Sequence, residues 1–155
     1  MLVELYHTSP EKIAEIHENG LYSDVFFWAL KPYWVGGCEE IYKIELNESE
    51  IIDVSELHDG EIIEKIAKRV KVDFETAENF LTGSINEWNY FDDEFRYSNP
   101  DFDLADFSWF LQKCRGYAAR KMGFTACKDQ DEQGDVFIIR MKDVFQRAQL
   151  HETFY

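Results

Sequence analysis

The chain has 155 residues, 45% hydrophobic and 16% aromatic, with 16 Lys and Arg against 31 Asp and Glu for a net charge of −15. That length suits one domain, residues 1–155, with a real apolar core, and the composition excludes a disordered chain. The charge argues against indiscriminate binding to nucleic acid or anionic membrane and favours basic partners, while leaving room for one local positive pocket.

Taken in order, Met1 to Tyr6 reads as a strand that His7-Thr8-Ser9-Pro10 interrupts. Ser9 suits the N-cap of a following helix, with Pro10 in its first turn, Ile13 and Ile16 on its buried side and Gly20 as its stop. His7 then stands at a strand end. Its ring N–H either serves a ligand hydroxyl, with Thr8 alongside, or is satisfied by a neighbouring carbonyl. Asp24 to Val35 carries Phe26, Phe27, Trp28, Tyr33 and Trp34. Pro32 bars a regular continuation of the strand, which leaves Tyr33 and Trp34 on a turn or short helix. These rings belong either to the core or to the wall of a pocket for a flat heterocycle, and Tyr33, with its hydroxyl, is the foremost candidate for the wall.

Glu40 to Leu46 alternates as a strand, and Ile51 to Val54 adds a short one. From Gly60 to Val72, Ile62, Ile63, Ile66, Ala67 and Val70 recur at helical spacing, with Lys65, Lys68, Arg69 and Lys71 on the wet side. Asp73 caps a second helix through Leu81, whose apolar side is Phe74, Ala77, Phe80 and Leu81. Residues 82–103 read as an ordered irregular excursion with room for a short helix, anchored by aromatics such as Trp88, Tyr90 and Tyr97, and a natural place for target recognition. Asp103 to Met122 is the clearest helix, striped by Leu104, Phe107, Leu111, Cys114, Ala118 and Met122, so Cys114 is a packing residue.

Phe124 to Arg140 reads as a strand, a tight polar turn holding the carboxylates of Asp129, Asp131 and Glu132, and a second strand in which Val136 to Ile139 is unbroken apolar sequence. Gly134 suits the bend. Those carboxylates either meet water or face a site from a rigid support. Cys38, Cys114 and Cys127 are odd in number and lack a CxxC spacing, so neither a disulfide framework nor a zinc site is expected. With no apolar run of about 18 residues and no leader pattern, the expectation is a cytoplasmic protein.

Leu5-Tyr6-His7-Thr8-Ser9-Pro10, Ile51-Ile52, Thr76-Ala77-Glu78, Phe107-Ser108-Trp109, Ala118 through Phe124 and Gln130-Asp131-Glu132-Gln133-Gly134 together span most of the chain. In this order they resemble the ADP-ribosyltransferase superfamily, and within it the small phage-type ADP-ribosyltransferases that act as anti-CRISPR proteins against type I-F complexes. The resemblance implies an α+β fold with a split mixed β-sheet and flanking helices. It also implies NAD as ADP-ribose donor and mono-ADP-ribosylation of a protein target, a CRISPR-Cas component; the net charge adds the expectation that this target is basic and that the chain does not bind nucleic acid directly. By the same resemblance His7 contacts a ribose, and Thr8 and Ser9 hold ribose or diphosphate oxygens. Phe27, Trp28, Ala29 and Tyr33 surround the nicotinamide, and Gln130 leads an acidic element that aligns the reacting ribose. Phe26-Phe27-Trp28-Ala29 replaces the usual glycine-tyrosine-phenylalanine-alanine context, and the extra acid at Asp131 leaves two registers for the catalytic carboxylate, Asp131 or Glu132.

A carboxylate bonded to a ribose hydroxyl would fix the sugar and stabilise the positive charge that develops as nicotinamide leaves. The absence of a glycine-rich strand-to-helix fingerprint argues against a Rossmann dehydrogenase. The rival readings are an NAD glycohydrolase, an RNA 2′-phosphotransferase-like enzyme, and a non-enzymatic acidic inhibitor that mimics nucleic acid.

Overall fold

Alternation of apolar side chains sorts the strands into two sheets that share a core. The computed structural model describes residues 1–9, 24–32, 40–90, 93–100, 103–131 and 134–153. In the first sheet β1 (Leu2–Ser9) pairs with β3 (Glu40–Asn47), which pairs with β7 (Gln149–Thr153), all antiparallel. The second sheet has the order β2 (Val25–Trp28), β6 (Gly134–Arg140), β5 (Ala126–Asp131), β4 (Ile51–Asp53), and is mixed because β4 runs parallel to β5. Where the sheets split, Tyr6 and Ala29 exchange two backbone hydrogen bonds of 2.8 Å.

The side-chain period of two gives the second sheet two apolar faces. Trp28, Ala126, Phe137 and Ile139 pack toward Leu5, Tyr42, Ile44 and Leu46 of the first sheet. Val25, Phe27, Cys127 and Ile138 pack against the helical layer of α1 (Gly60–Val70), α2 (Phe74–Leu81) and α5 (Leu104–Lys121). Aspartates start all three helices: Asp59 accepts from the Ile62 N–H at 3.0 Å, Asp73 from Thr76 and Asp103 from Asp106, both at 2.8 Å. Gly116 lets α5 approach the sheet, because a Cβ there would lie 3.3 Å from Ile138 and 3.4 Å from Val25.

The described elements follow the expected order as far as β6, and several boundaries differ. The final segment, expected as a short helix or an irregular tail, instead forms β7 because β3 offers it an edge to pair with. β1 runs on through His7, Thr8 and Ser9, because β3 supplies ladder partners as far as Glu40 opposite Ser9. β5 likewise continues to Asp131, which pairs with Gly134, so Asp129 and Asp131 are strand residues rather than turn residues. The 82–103 excursion holds two short helices, α3 (Glu87–Tyr90) and α4 (Asp93–Ser98). Two of its expected anchors, Trp88 and Tyr97, are 58% and 88% exposed, and Phe74 points outward at the start of α2. The expected helix after Pro10, together with Tyr33 and Glu132, lies outside the described residues. Among those described, no helix is long and apolar enough to cross a membrane.

Candidate active site

Strand register places the late acids. Asp129 is opposite Val136 and Asp131 opposite Gly134, so both carboxylates leave β5 on the face that carries Cys127 and, across β6, Phe27. α5 and α3 overhang this end of the sheet with Ser108, Trp109 and Gln112 from one and Glu87 and Trp88 from the other. The result is a cleft of three adjoining lobes. One of about 470 Å³ is bounded by Phe27, Trp28, Ala29, Lys31 and Asp135. A second of about 380 Å³ lies between Phe27 and the indoles of Trp88 and Trp109. The third, about 830 Å³, extends under α3 past Glu87, Gln112 and Arg115. Asp131 lines all three.

The two aspartates are not equivalent. Arg115 is 4% exposed, and its guanidinium donates to the Leu81 carbonyl at 3.0 Å, the Phe80 carbonyl at 2.8 Å and Asp129 Oδ2 at 3.1 Å. Asp129 Oδ1 accepts from the Gln130 N–H at 2.8 Å. Asp129 therefore locks the end of α2 to β5, whereas Asp131 is exposed where the lobes meet. The Gln130 amide is also committed, donating to Asp135 at 3.3 Å across the hairpin.

His7 lies behind β2. Its ring stacks on Phe26 at 4.7 Å, and Nδ1 is 2.8 Å from the Phe27 carbonyl oxygen. A carbonyl only accepts, so Nδ1 carries the proton, and burial lowers the imidazole pKa and keeps the ring neutral. The ring N–H that could have served a ligand goes to the backbone, and the remaining nitrogen, Nε2, is an acceptor. Thr8 and Ser9 are each 8% exposed. None of His7, Thr8 and Ser9 lines the three lobes.

Phe27, Trp28, Ala29, Gln130 and Asp131 are thus brought together, and Tyr33 and Glu132 lie outside the described residues. Both Ala29 backbone groups are used by Tyr6, which leaves its methyl to face the lobe. Lys31, Glu87, Gln112 and Arg115 are cleft residues that sequence reasoning missed. Only Arg115 carried a signal, as a charge embedded in the apolar run of α5. The thiols of Cys114 and Cys127 are pushed up to about 12 by burial, as suits packing residues and not nucleophiles.

Two sheets split at a bridging pair, helices over one of them, and a carboxylate cleft at the end of the β5–β6 hairpin define an ADP-ribosyltransferase-like α+β fold. The chain belongs to the family described as anti-CRISPR type I-F ADP-ribosyltransferase AcrIF11, which matches residues 3–147. It is accordingly an NAD-using ADP-ribosyltransferase directed against type I-F CRISPR systems. A solved crystal structure of an anti-CRISPR protein is similar over 90% of each chain, with a TM-score of 0.51 and 22% identity, a likeness of fold. No curated protein matches the chain.

Proposed function

We propose that residues 1–155 act as one domain that transfers a single ADP-ribose from NAD to a protein of a type I-F CRISPR-Cas complex, with Asp131 as the catalytic carboxylate. The observation that carries this reading is that Asp131 lines all three lobes. A transfer at the ribosyl carbon needs one space for the donor and another for the incoming nucleophile, meeting at the group that stabilises the developing charge.

The residues of the 470 Å³ lobe fit NAD. Phe27 and Trp28 offer flat apolar surface, and Lys31 is the cation among the described residues of that lobe. Trp28 is 1% exposed, and its Nε1–H has no hydrogen-bond partner among the described residues, a donor suited to a polar edge of the ligand. When bound, NAD supplies a ribosyl carbon with a cationic nicotinamide leaving group. Asp131 accepts from a ribose hydroxyl and faces the positive charge that grows on the sugar. His7 holds the Phe27 carbonyl and supports the β2 wall, with Nε2 left as an acceptor for a ligand hydroxyl. Thr8 and Ser9 support the same wall from β1. Gln130 orients the hairpin through Asp135.

Intact-mass measurement of a type I-F complex incubated with the protein, with and without NAD, tests this. A gain of one ADP-ribose that needs NAD and disappears in Asp131→Asn is the expected result. If Asp131→Asn modifies the target as fast as the parent and Glu132→Gln does not, the catalytic assignment moves to Glu132. NAD consumption with no mass gain on any subunit would instead make the protein a glycohydrolase.

A further inference from the structure

The lobe under α3 is lined by two side-chain acceptors, Glu87 and Gln112, one of them without a donor among the described residues. Glu87 is 7% exposed, and its Oε1 accepts from the Ser108 hydroxyl at 3.2 Å. Among the described residues no Lys or Arg pairs with it. Carboxylates with so little exposed surface are ordinarily paired with a cation. Arg115 lines the same lobe, but its three nitrogens are directed to Leu81, Phe80 and Asp129. The Oε1 of Gln112, which lines both this lobe and the one beside it, is buried with no hydrogen-bond partner among the described residues. Two acceptors on neighbouring elements therefore surround a space of about 830 Å³ that opens onto Asp131.

The rim adds apolar faces. Trp88 is 58% exposed and Trp109 is 42% exposed, and both line the adjoining lobe. Indole faces attract Lys and Arg, and buried acceptors hydrogen-bond them, so the indoles, Glu87 and Gln112 favour the same class of group.

We infer that this lobe, Glu87 and Gln112 with Trp88 and Trp109 at its mouth, is the docking site for a Lys or Arg side chain of the target protein. The inference rests on the transferase reading above and deepens it, assigning the acceptor protein to the Glu87–Gln112 lobe and the donor to the Phe27–Lys31 lobe. A protein side chain fits better than a free cation. Its aliphatic stem covers the indoles while its head reaches Glu87, and a chain carrying a net charge of −15 attracts a basic surface. The donor, itself an anion, would meet unmatched acceptors here and meets Lys31 in the other lobe.

Glu87→Gln keeps the shape and removes the charge, and Trp88→Ala removes an exposed ring. The affinity of each variant for a purified type I-F complex is measured by calorimetry without NAD, and KM values for the complex and for NAD are measured separately. The expected result is affinity weakened at least about tenfold in Glu87→Gln, with KM for the complex raised to match and KM for NAD within about twofold of the parent. Trp88→Ala shifts the same two quantities in the same direction. Unchanged affinity in both variants, or a rise in KM for NAD instead, would overturn the inference and give the lobe to the donor. Because binding is read without turnover, a parent that binds the complex yet never consumes NAD would sink the transferase reading while leaving this comparison decisive.

Discussion

At the residue scale, two aspartates two positions apart on one strand have different surroundings, and the proposed roles differ accordingly. Asp131→Asn is expected to lower transfer by about 100-fold or more with the melting temperature unchanged, since that side chain is exposed. Asp129→Asn should do the reverse. It leaves the Arg115 guanidinium, tied to two carbonyls in the core, without its carboxylate. Denaturant unfolding should show a loss of about 2 kcal/mol, with residual transfer measurable in the folded fraction. His7 gives a pH signature. Burial lowers its folded pKa below the ordinary 6.5, so the unfolded chain takes up the proton first. The stability it supports is complete above 6.5 and is lost as pH falls toward the folded pKa. A thermal melt series from pH 7.5 to 5.5 should show the parent losing ground to His7→Gln over that window; parallel curves would contradict it.

At the element scale, the site depends on how α5 meets the sheet and how the β4–β5 edge is held. Gly116 faces Val25 and Ile138 at contact distance, so Gly116→Val should cost about 1–3 kcal/mol, and the displaced helix should carry Ser108 and Gln112 out of register. Glu50 clasps the other end of the sheet. It receives both Arg147 Nη groups at 2.8 and 3.1 Å, the Asn47 N–H at 2.8 Å and the Thr125 hydroxyl at 2.9 Å. These bonds, Arg147's foremost, hold its pKa down to about 2. Its contribution is therefore complete above the ordinary 4.5 and lost as pH falls from 4.5 toward 2. Arg147→Ala should be about 1 kcal/mol less stable at pH 7, the pair being partly exposed, and the gap should narrow over that acid range.

At the scale of the whole molecule, 31 acidic residues against 16 basic ones would steer encounter with the target proposed above if its docking surface is basic. Raising salt from 50 to 300 mM should lower kcat/KM for the complex several-fold and change target-free NAD cleavage much less. Equal salt sensitivity of both reactions would argue that charge acts on the donor.

Sequence by itself determined the element order as far as β6, the Asp73 and Asp103 helix starts and the family, because periodicity, capping and motif order are local or cumulative along the chain. Phe27, Trp28 and Asp131 were legible as candidates, each lying within a recognisable motif, and all three line the cleft. Tertiary structure decided the rest. Where β1 and β5 end depends on ladder partners in other strands, which is how Asp129 and Asp131 became strand residues with different surroundings. The proton on His7 was settled by the Phe27 carbonyl, twenty residues on. Glu87, Gln112 and Arg115 joined the cleft only when α3 and α5 packed over the sheet, since whether a charge is matched depends on which groups folding places around it.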